Sequence, residues 1–473
     1  MKNEPTNNRK GVSVVDFFCI GFGAIVGVGW AVSINSWMLN SGGPIPAAVG
    51  FILALLMMIP VSLAYCELVP MYPEAGGGMV FALQAFGRLL ALFSGWAAFG
   101  AFVAIIPWEA IQITTMLGYL IPGLTSGEPL YTLAGTAIYP ATIAIGTFFS
   151  VVLFLLNRKG LAMAAKVQKF LCFFLIATAL IGAVASVLAG SLSNLKPIYE
   201  NVTGSALHST FFGGVLSIIA SAPFFLAGFE TIPQGIENAS GSVRSVGKTV
   251  VLSVLCSCLF YAVLLFCFGM AMPWQSFCQL EKPAAAVMMR EIYPSSAGNI
   301  LYGILVVGAI AGLVTTWNGF FTASANLLMA MGRKNLVPSV LAKQNENGVP
   351  VNGLYICLGL SLLGPLLGDG LIDTLTCFST AAFVLSWLIT AMCLVRLRYT
   401  RPELPRPYSI PGGLRMGWFS VIVASAVFLL LLIPGNPAFV GWRAVIAFLV
   451  WIAIGLLLFA VNNMLKKRFH QKT

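Results

Sequence analysis

Gly21-Phe22-Gly23-Ala24-Ile25-Val26-Gly27-Val28-Gly29-Trp30, near the start, and Phe224-Phe225-Leu226-Ala227-Gly228-Phe229-Glu230-Thr231-Ile232-Pro233, near the middle, are apolar stretches punctured by glycine. Both read as membrane helices that break. Hydrocarbon offers no partner to a backbone N–H or C=O, so an unwound stretch is tolerated in a membrane helix only where the freed groups line a cavity or bind something. A matched pair of such breaks in the two halves of a polytopic chain points to the binding site of a secondary transporter.

The composition fits that setting. Of 473 residues, 59% are hydrophobic and 9% charged, and the mean hydropathy is +0.92. Soluble domains carry about 25% charged residues, so this is an integral membrane protein. The net charge of +11 does not indicate nucleic-acid binding, because the basic residues sit in short loops without interleaved aromatics. The first dozen residues are polar, and no short apolar core precedes a small-residue cleavage site, so the expectation is an uncleaved first span that serves as the insertion signal.

Apolar runs between polar or Pro/Gly breaks predict twelve spans, beginning near Val14, Pro46, Leu89, Thr136, Leu161, Thr210, Thr249, Ala297, Pro350, Leu371, Trp418 and Trp442. If the N-terminus is cytoplasmic, all but four of the 26 Lys and Arg residues fall in cytoplasmic segments, the exceptions being Lys196, Lys282, Arg290 and Arg443. The positive-inside bias therefore predicts a multi-pass protein of the cell membrane with both ends inside. The predicted organisation is a cytoplasmic tail at 1–13, one transporter domain at 14–464 and a second cytoplasmic tail at 465–473.

Nine of the ten cysteines lie in or beside apolar spans, and Cys278 stands alone in an outside loop. No disulfide framework or metal site is expected from them. Cys256 and Cys258 are two apart and share no helix face. Neither His208, in an outside loop, nor His470, in the tail, has ligand-like company. No cofactor is expected.

Several motifs, taken in order, carry a resemblance. They are Val15-Asp16-Phe17 before the first break; Glu67-Leu68 and Tyr72-Pro73-Glu74-Ala75-Gly76-Gly77-Gly78; Phe86-Gly87-Arg88 and Ser94-Gly95-Trp96; Gly228-Phe229-Glu230; Met331-Gly332-Arg333-Lys334-Asn335-Leu336-Val337-Pro338; Gly348-Val349-Pro350-Val351; and Arg401-Pro402-Glu403-Leu404-Pro405-Arg406-Pro407-Tyr408. The chain resembles, over nearly its whole length, the amino acid, polyamine and organocation (APC) superfamily. The resemblance implies an all-α membrane fold of two inverted five-span repeats, 14–190 and 205–400, with spans 11 and 12 added at 415–464. It also implies a central site and alternating access rather than a continuous pore.

A physical reading places that site at the breaks. The half-helix after the break in span 1 presents unpaired N–H groups and a positive dipole end to an anion, which Gly23, Ala24, Gly27, Val28 and Gly29 can offer through backbone alone. Relatives often carry Ser or Thr at position 28, so Val28 removes a hydroxyl from this end. In span 6, unwound carbonyls from Phe224 through Ala227 to Gly228 would accept hydrogen bonds from an ammonium. One break for an anion and one for a cation describes an α-amino acid. The resemblance makes Phe224 an aromatic that closes over the substrate from outside, and Phe320 a pocket-lining aromatic of span 8.

Glu109 is the sharpest single residue. A lone carboxylate inside a span costs about 3 kcal/mol on insertion scales unless it is protonated, paired or facing water, so it marks function. Glu109 takes the place where arginine/agmatine exchangers of the superfamily carry a pocket Asn, and Gln112 lies one turn on along the same face. A counter-charge for a cationic substrate, a proton carrier and a hydrogen-bonded structural acid are the readings left open. Glu230 is the second buried acid; bridging span 6 to its neighbours and sensing protons are both open for it, and two buried carboxylates near one cavity would suit proton coupling.

Two departures bear on energetics. Many relatives carry in span 5 a lysine that stands in for sodium, eight residues after the Val of a Val-Gln pair; here Val167-Gln168 leads to Leu175. Exchange, proton coupling through Glu109 or Glu230, and sodium binding near Ser324 stay open. The loop after span 6 shows Ser242-Val243-Arg244-Ser245 in place of the usual Asn-Pro-Arg run. The expected partners are therefore an amino acid or amine, the lipid bilayer, and a proton or sodium ion, with the protein a monomer or homodimer and no nucleic acid bound. A polyamine or organocation transporter and an amino acid sensor on a transporter scaffold are the alternative functions. A channel lacks its repeated filter residues, and an enzyme lacks a histidine-based cluster in the membrane.

Overall fold

The computed structural model describes residues 11–133, 135–202, 204, 210–435 and 438–470. Lys2, Arg9, Lys10 and Lys472, four of the basic residues counted as cytoplasmic, and His208 lie outside the described residues. Among the described residues the fold is all-α apart from one short hairpin. Ten helices among the described residues are long and apolar enough to cross a membrane, the bent segment 211–238 makes eleven, and the apolar helix Val351–Leu367, shorter than these, stands where the sequence places span 9.

Span 1 runs from Val14 to Val32 and span 2 from Pro44 to Met71; spans 3, 4 and 5 are Arg88–Gly118, Pro140–Arg158 and Leu161–Ala189. Span 6 is an α-helix, Phe211–Leu226, followed by a 3₁₀ helix, Phe229–Asn238. Spans 7 to 12 are Val243–Ala271, Ser296–Arg333, Val351–Leu367, Ile372–Thr400, Gly413–Leu432 and Trp442–His470.

Burial sorts them into centre and rim. The apolar windows of spans 1, 3 and 10 are each 83% buried, against 28% for span 4, 22% for span 11 and 17% for span 12. Span 5 and the rim spans expose large side chains, among them Phe170 and Leu188 on span 5 and Ile446 and Leu457 on span 12. With lipid as the outer solvent, sequence hydrophobicity alone cannot separate these two classes, because both must be apolar.

Three starts differ from the sequence reading by four residues or more. Span 7 begins at Val243 and span 11 at Gly413, ahead of the expected Thr249 and Trp418. Span 4 does not start at Thr136. Thr136–Ile138 pairs antiparallel with Tyr131–Leu133, and the helix begins at Pro140, whose fixed φ and missing N–H suit the first helical position.

Ion pairs gather on the side of the bundle that holds the ends of spans 2 and 8 and the start of span 3. Glu67 is completely buried and accepts from Arg398 at 2.5 and 3.0 Å, from Arg406 at 3.2 Å and from the Ile410 N–H at 2.9 Å. Arg333 pairs with Glu237, and Lys334 with Glu74. The Glu237 carboxylate also accepts from the Ala75 N–H, and Gln234 accepts from the Gly76 N–H. The Tyr72–Gly78 motif is thus tied to the 3₁₀ half of span 6.

Candidate functional site

The two breaks lie against each other. Span 1 stops at Val26, Gly27 takes φ +51°, and helix resumes at Gly29. Span 6 stops at Leu226, Gly228 takes φ +137°, and the chain continues as the 3₁₀ helix. A Cβ on Gly228 would sit 2.7 Å from the Ala24 carbonyl carbon, so only glycine lets the backbones approach this closely. The unwound stretch in span 6 is shorter than the sequence suggests, because Phe224 still belongs to the helix. Its neighbourhood nonetheless supplies acceptors, since the last carbonyls of a helix ending at Leu226 lose their intrahelical donors.

Part of the freed backbone in span 1 is spoken for. Thr315 and Thr316 of span 8 donate to the Gly23 carbonyl at 3.0 and 3.1 Å, and the Tyr261 hydroxyl of span 7 lies 3.1 and 2.8 Å from the Ile25 and Val26 carbonyls. Three of the last four carbonyls of the first half-helix, those of Gly23, Ile25 and Val26, are thus satisfied by protein. The N–H groups that follow Gly27 begin a new helix and have no preceding turn to bond to.

A cavity of about 450 Å³ opens beside this junction. Ala24, Gly27, Val28, Gly29, Glu109, Gln112, Phe224, Ala227 and Phe320 all line it. Four other residues singled out from the sequence do not. Gly23 faces the threonines, Gly228 packs on span 1, and Ser324, buried on span 8, lies outside the cavity wall. Glu230 has both oxygens engaged, one by the Gly228 N–H at 2.7 Å and the other by the Trp387 indole N–H. That geometry bridges span 6 to span 10 and fixes the break from below.

Span 3 supplies one wall as a helical stripe: Ile105, Trp108 and Glu109, Gln112, Thr115 and Met116, then Tyr119. The spacing is that of one helix face. Glu109 lies nine residues before the helix end at Gly118, about 14 Å at 1.5 Å per residue. It is 2% exposed, and its Oε2 has no hydrogen-bond partner. The Trp108 indole N–H beside it is also unpartnered, and its ring meets Phe224 at 6.4 Å. Lys282 and Asp373 line the cavity too and are exposed, which marks its mouth.

Sequence profiles and relatives agree with this architecture. The profile of the amino acid permease family matches residues 12–457. The chain belongs to that family. The permease is 23% identical over 470 residues to the branched-chain amino acid permease BcaP of Bacillus subtilis (strain 168), covering 98% of the chain and 95% of that relative. It is 22% identical over 431 residues to the aspartate-proton symporter of the same organism, covering 89% and 79%. It is 25% identical over 437 residues to the polyamine transporter RMV1 of Arabidopsis thaliana, again covering 89% and 79%.

Sequence reasoning missed Thr316, which lines the permease's cavity, and the two donors Tyr261 and Trp387 that fasten the breaks. Thr315-Thr316 was a readable signal, being a polar pair in the middle of an apolar span. Leu175 sits against the first break: a Cβ on Gly312 would meet the Gly27 carbonyl oxygen at 2.0 Å and Leu175 Cδ1 at 2.5 Å. The position where many relatives hold a lysine is thus apolar and adjacent to the unwound backbone. Among the described residues no group of His, Cys, Asp or Glu is arranged to hold a metal ion.

Proposed function

We propose that this permease moves amino acids or related organic amines across the cell membrane by alternating access, with the cavity beside the two breaks as the transport site. The observation that carries the reading is Glu109, a buried and unpartnered carboxylate in the wall of that cavity. In this assignment the N–H groups from Gly27 to Gly29 take the substrate carboxylate and the carbonyls ending the first half of span 6 take its α-ammonium. Glu109, with Gln112 beyond it, takes a second amine on the side chain, and Phe224 and Phe320 close over the bound molecule. Both termini are cytoplasmic, so the mouth at Lys282 and Asp373 faces outside and the ion-paired side faces the cytoplasm. The polyamine transporter among the relatives supports an amine-bearing substrate.

Coupling follows from what stands at span 5. With Leu175 in place of a lysine, the permease has no fixed ammonium there, which favours exchange or a mobile proton on Glu109. An unpartnered acid in a cavity open to one side can serve as that carrier, and the aspartate-proton symporter among the relatives supports this second reading.

Glu109→Gln separates the two roles. If Glu109 pairs with a substrate amine, affinity for cationic ligands falls by about 1.5 to 3 kcal/mol, the worth of a charge-assisted hydrogen bond, while neutral amino acids bind as before. If Glu109 carries the proton, counterflow exchange survives at every pH while accumulation driven by a pH gradient is lost. Thermal-shift titration against amino acids, amines and polyamines, followed by counterflow and pH-gradient uptake in proteoliposomes, reads both. Unchanged affinity together with unchanged accumulation would remove Glu109 from the mechanism.

A further inference from the structure

A second cavity, of about 280 Å³, lies on the other side of span 3. Its walls come from spans 3, 9, 10 and 12. Gly100, Ala104, Gly364 and Ala447 contribute little more than backbone, and the larger lining side chains include Leu363, Leu375 and Phe378. Two close contacts border this gap. Trp96 of span 3 and Trp451 of span 12 stack at 4.7 Å and 14°, each indole N–H donating to the other residue's carbonyl at 2.7 and 2.9 Å. On the opposite side Gly364 of span 9 rides on the backbone of Pro107, where a Cβ would meet the Pro107 carbonyl oxygen at 2.4 Å.

The gap is a poor place for water. The Trp451 N–H is already bonded to Trp96, and Thr374 brings the one hydroxyl among the lining residues, whereas a buried water needs two to four polar partners. Left empty, the walls would lose dispersion contacts over their whole area. The niche is continuous with the face the chain shows to lipid: Leu363 lines it and is 47% exposed, and Ile446 and Val450 flank it on span 12 at 59% and 54%.

We infer that this niche is a lipid site that holds one acyl chain of a membrane phospholipid. The occupant backs the substrate cavity directly. Pro107 and Ile111 face the niche while Glu109, between them on the same helix, faces the other cavity. An acyl chain there fills the space behind the turn that presents the carboxylate.

Phosphatidylcholine carrying a diazirine on one acyl chain, photolysed in proteoliposomes of the intact protein and mapped by peptide mass spectrometry, tests this. Label should concentrate around Leu363, Leu375 and Ala447, several-fold above that on the open lipid face of span 5 at Phe170 and Leu188. Ala447→Phe, which fills the niche, and Leu363→Trp, which obstructs its mouth, should each remove the niche label and leave the span 5 label unchanged. The retained span 5 label shows that a variant is still folded in the bilayer. Equal density at the two places, or niche label that persists in both variants, would overturn the site. So would efficient disulfide formation between copies carrying Leu363→Cys, which would show a second chain covering the niche.

Discussion

Gly27→Leu should give a permease that inserts and runs as the folded protein in detergent but binds no substrate. Gly27 holds φ +51° at the point where span 1 changes from one helix to the next, and a residue with a side chain pays about 1–3 kcal/mol to adopt such a conformation. Its Cβ would lie 2.7 Å from Thr316 Oγ1, a side-chain atom already engaged with the Gly23 carbonyl at 3.1 Å. The rest of a leucine would then project into the cavity beside the N–H groups assigned to the substrate carboxylate. Gly29→Leu should act alike, because its Cβ would press on Phe225 at 3.1 Å. Radioligand or thermal-shift titration of the purified variants measures the loss. Wild-type affinity in a correctly inserted Gly27→Leu protein would remove the anion site from span 1.

Glu67→Ala should be the most destabilising acidic substitution in the chain. Removing the carboxylate leaves Arg398 and Arg406, whose side chains are 16% and 14% exposed, without their common partner, and frees the Ile410 N–H as well. Breaking a buried pair from one side costs about 3–5 kcal/mol, because the surviving charge is left uncompensated. Glu74→Ala provides the contrast. Glu74 pairs with Lys334 where both are part-exposed, 46% and 29%, and such pairs contribute about 0–1 kcal/mol. Thermal unfolding of both variants in one detergent should show a clearly larger fall in Tm for Glu67→Ala. Equal shifts would mean that the cluster joining span 2 to the end of span 10 and the loop after it does not hold the fold together.

Much of this architecture was legible in the residues. Spans are long apolar runs by physical necessity, so their positions survive without knowledge of packing; the late start of span 4 came from β-branched and small residues ahead of Pro140 that suit a hairpin as readily as a helix, and the early starts of spans 7 and 11 run through Arg244, Lys248 and Arg415, which an apolar criterion leaves out. Both breaks were readable because glycine clusters are costly inside helices unless something uses the freed backbone. Glu109 was readable because a carboxylate in an apolar run is expensive wherever it points. What could not be read were the long-range fastenings. Thr316 meets Gly23 across 293 positions and Tyr261 meets Val26 across 235, and no local pattern encodes either contact. The same holds for Glu230, whose burial was expected but whose engagement by Trp387, 157 positions away, depends on how span 10 packs against span 6.

The claim that the cavity beside the breaks is the transport site is tested most directly by labelling it from one side. Gln112→Cys, in a background lacking Cys278 and shown still to exchange substrate, would be treated in sealed proteoliposomes with a membrane-impermeant thiol reagent confined to the outside. The expected result is labelling that slows about tenfold when a substrate identified by counterflow is present at ten times its Kd, as occupancy of a shared site requires. A substrate that is exchanged at that concentration and yet leaves the labelling rate of Gln112→Cys unchanged would contradict it.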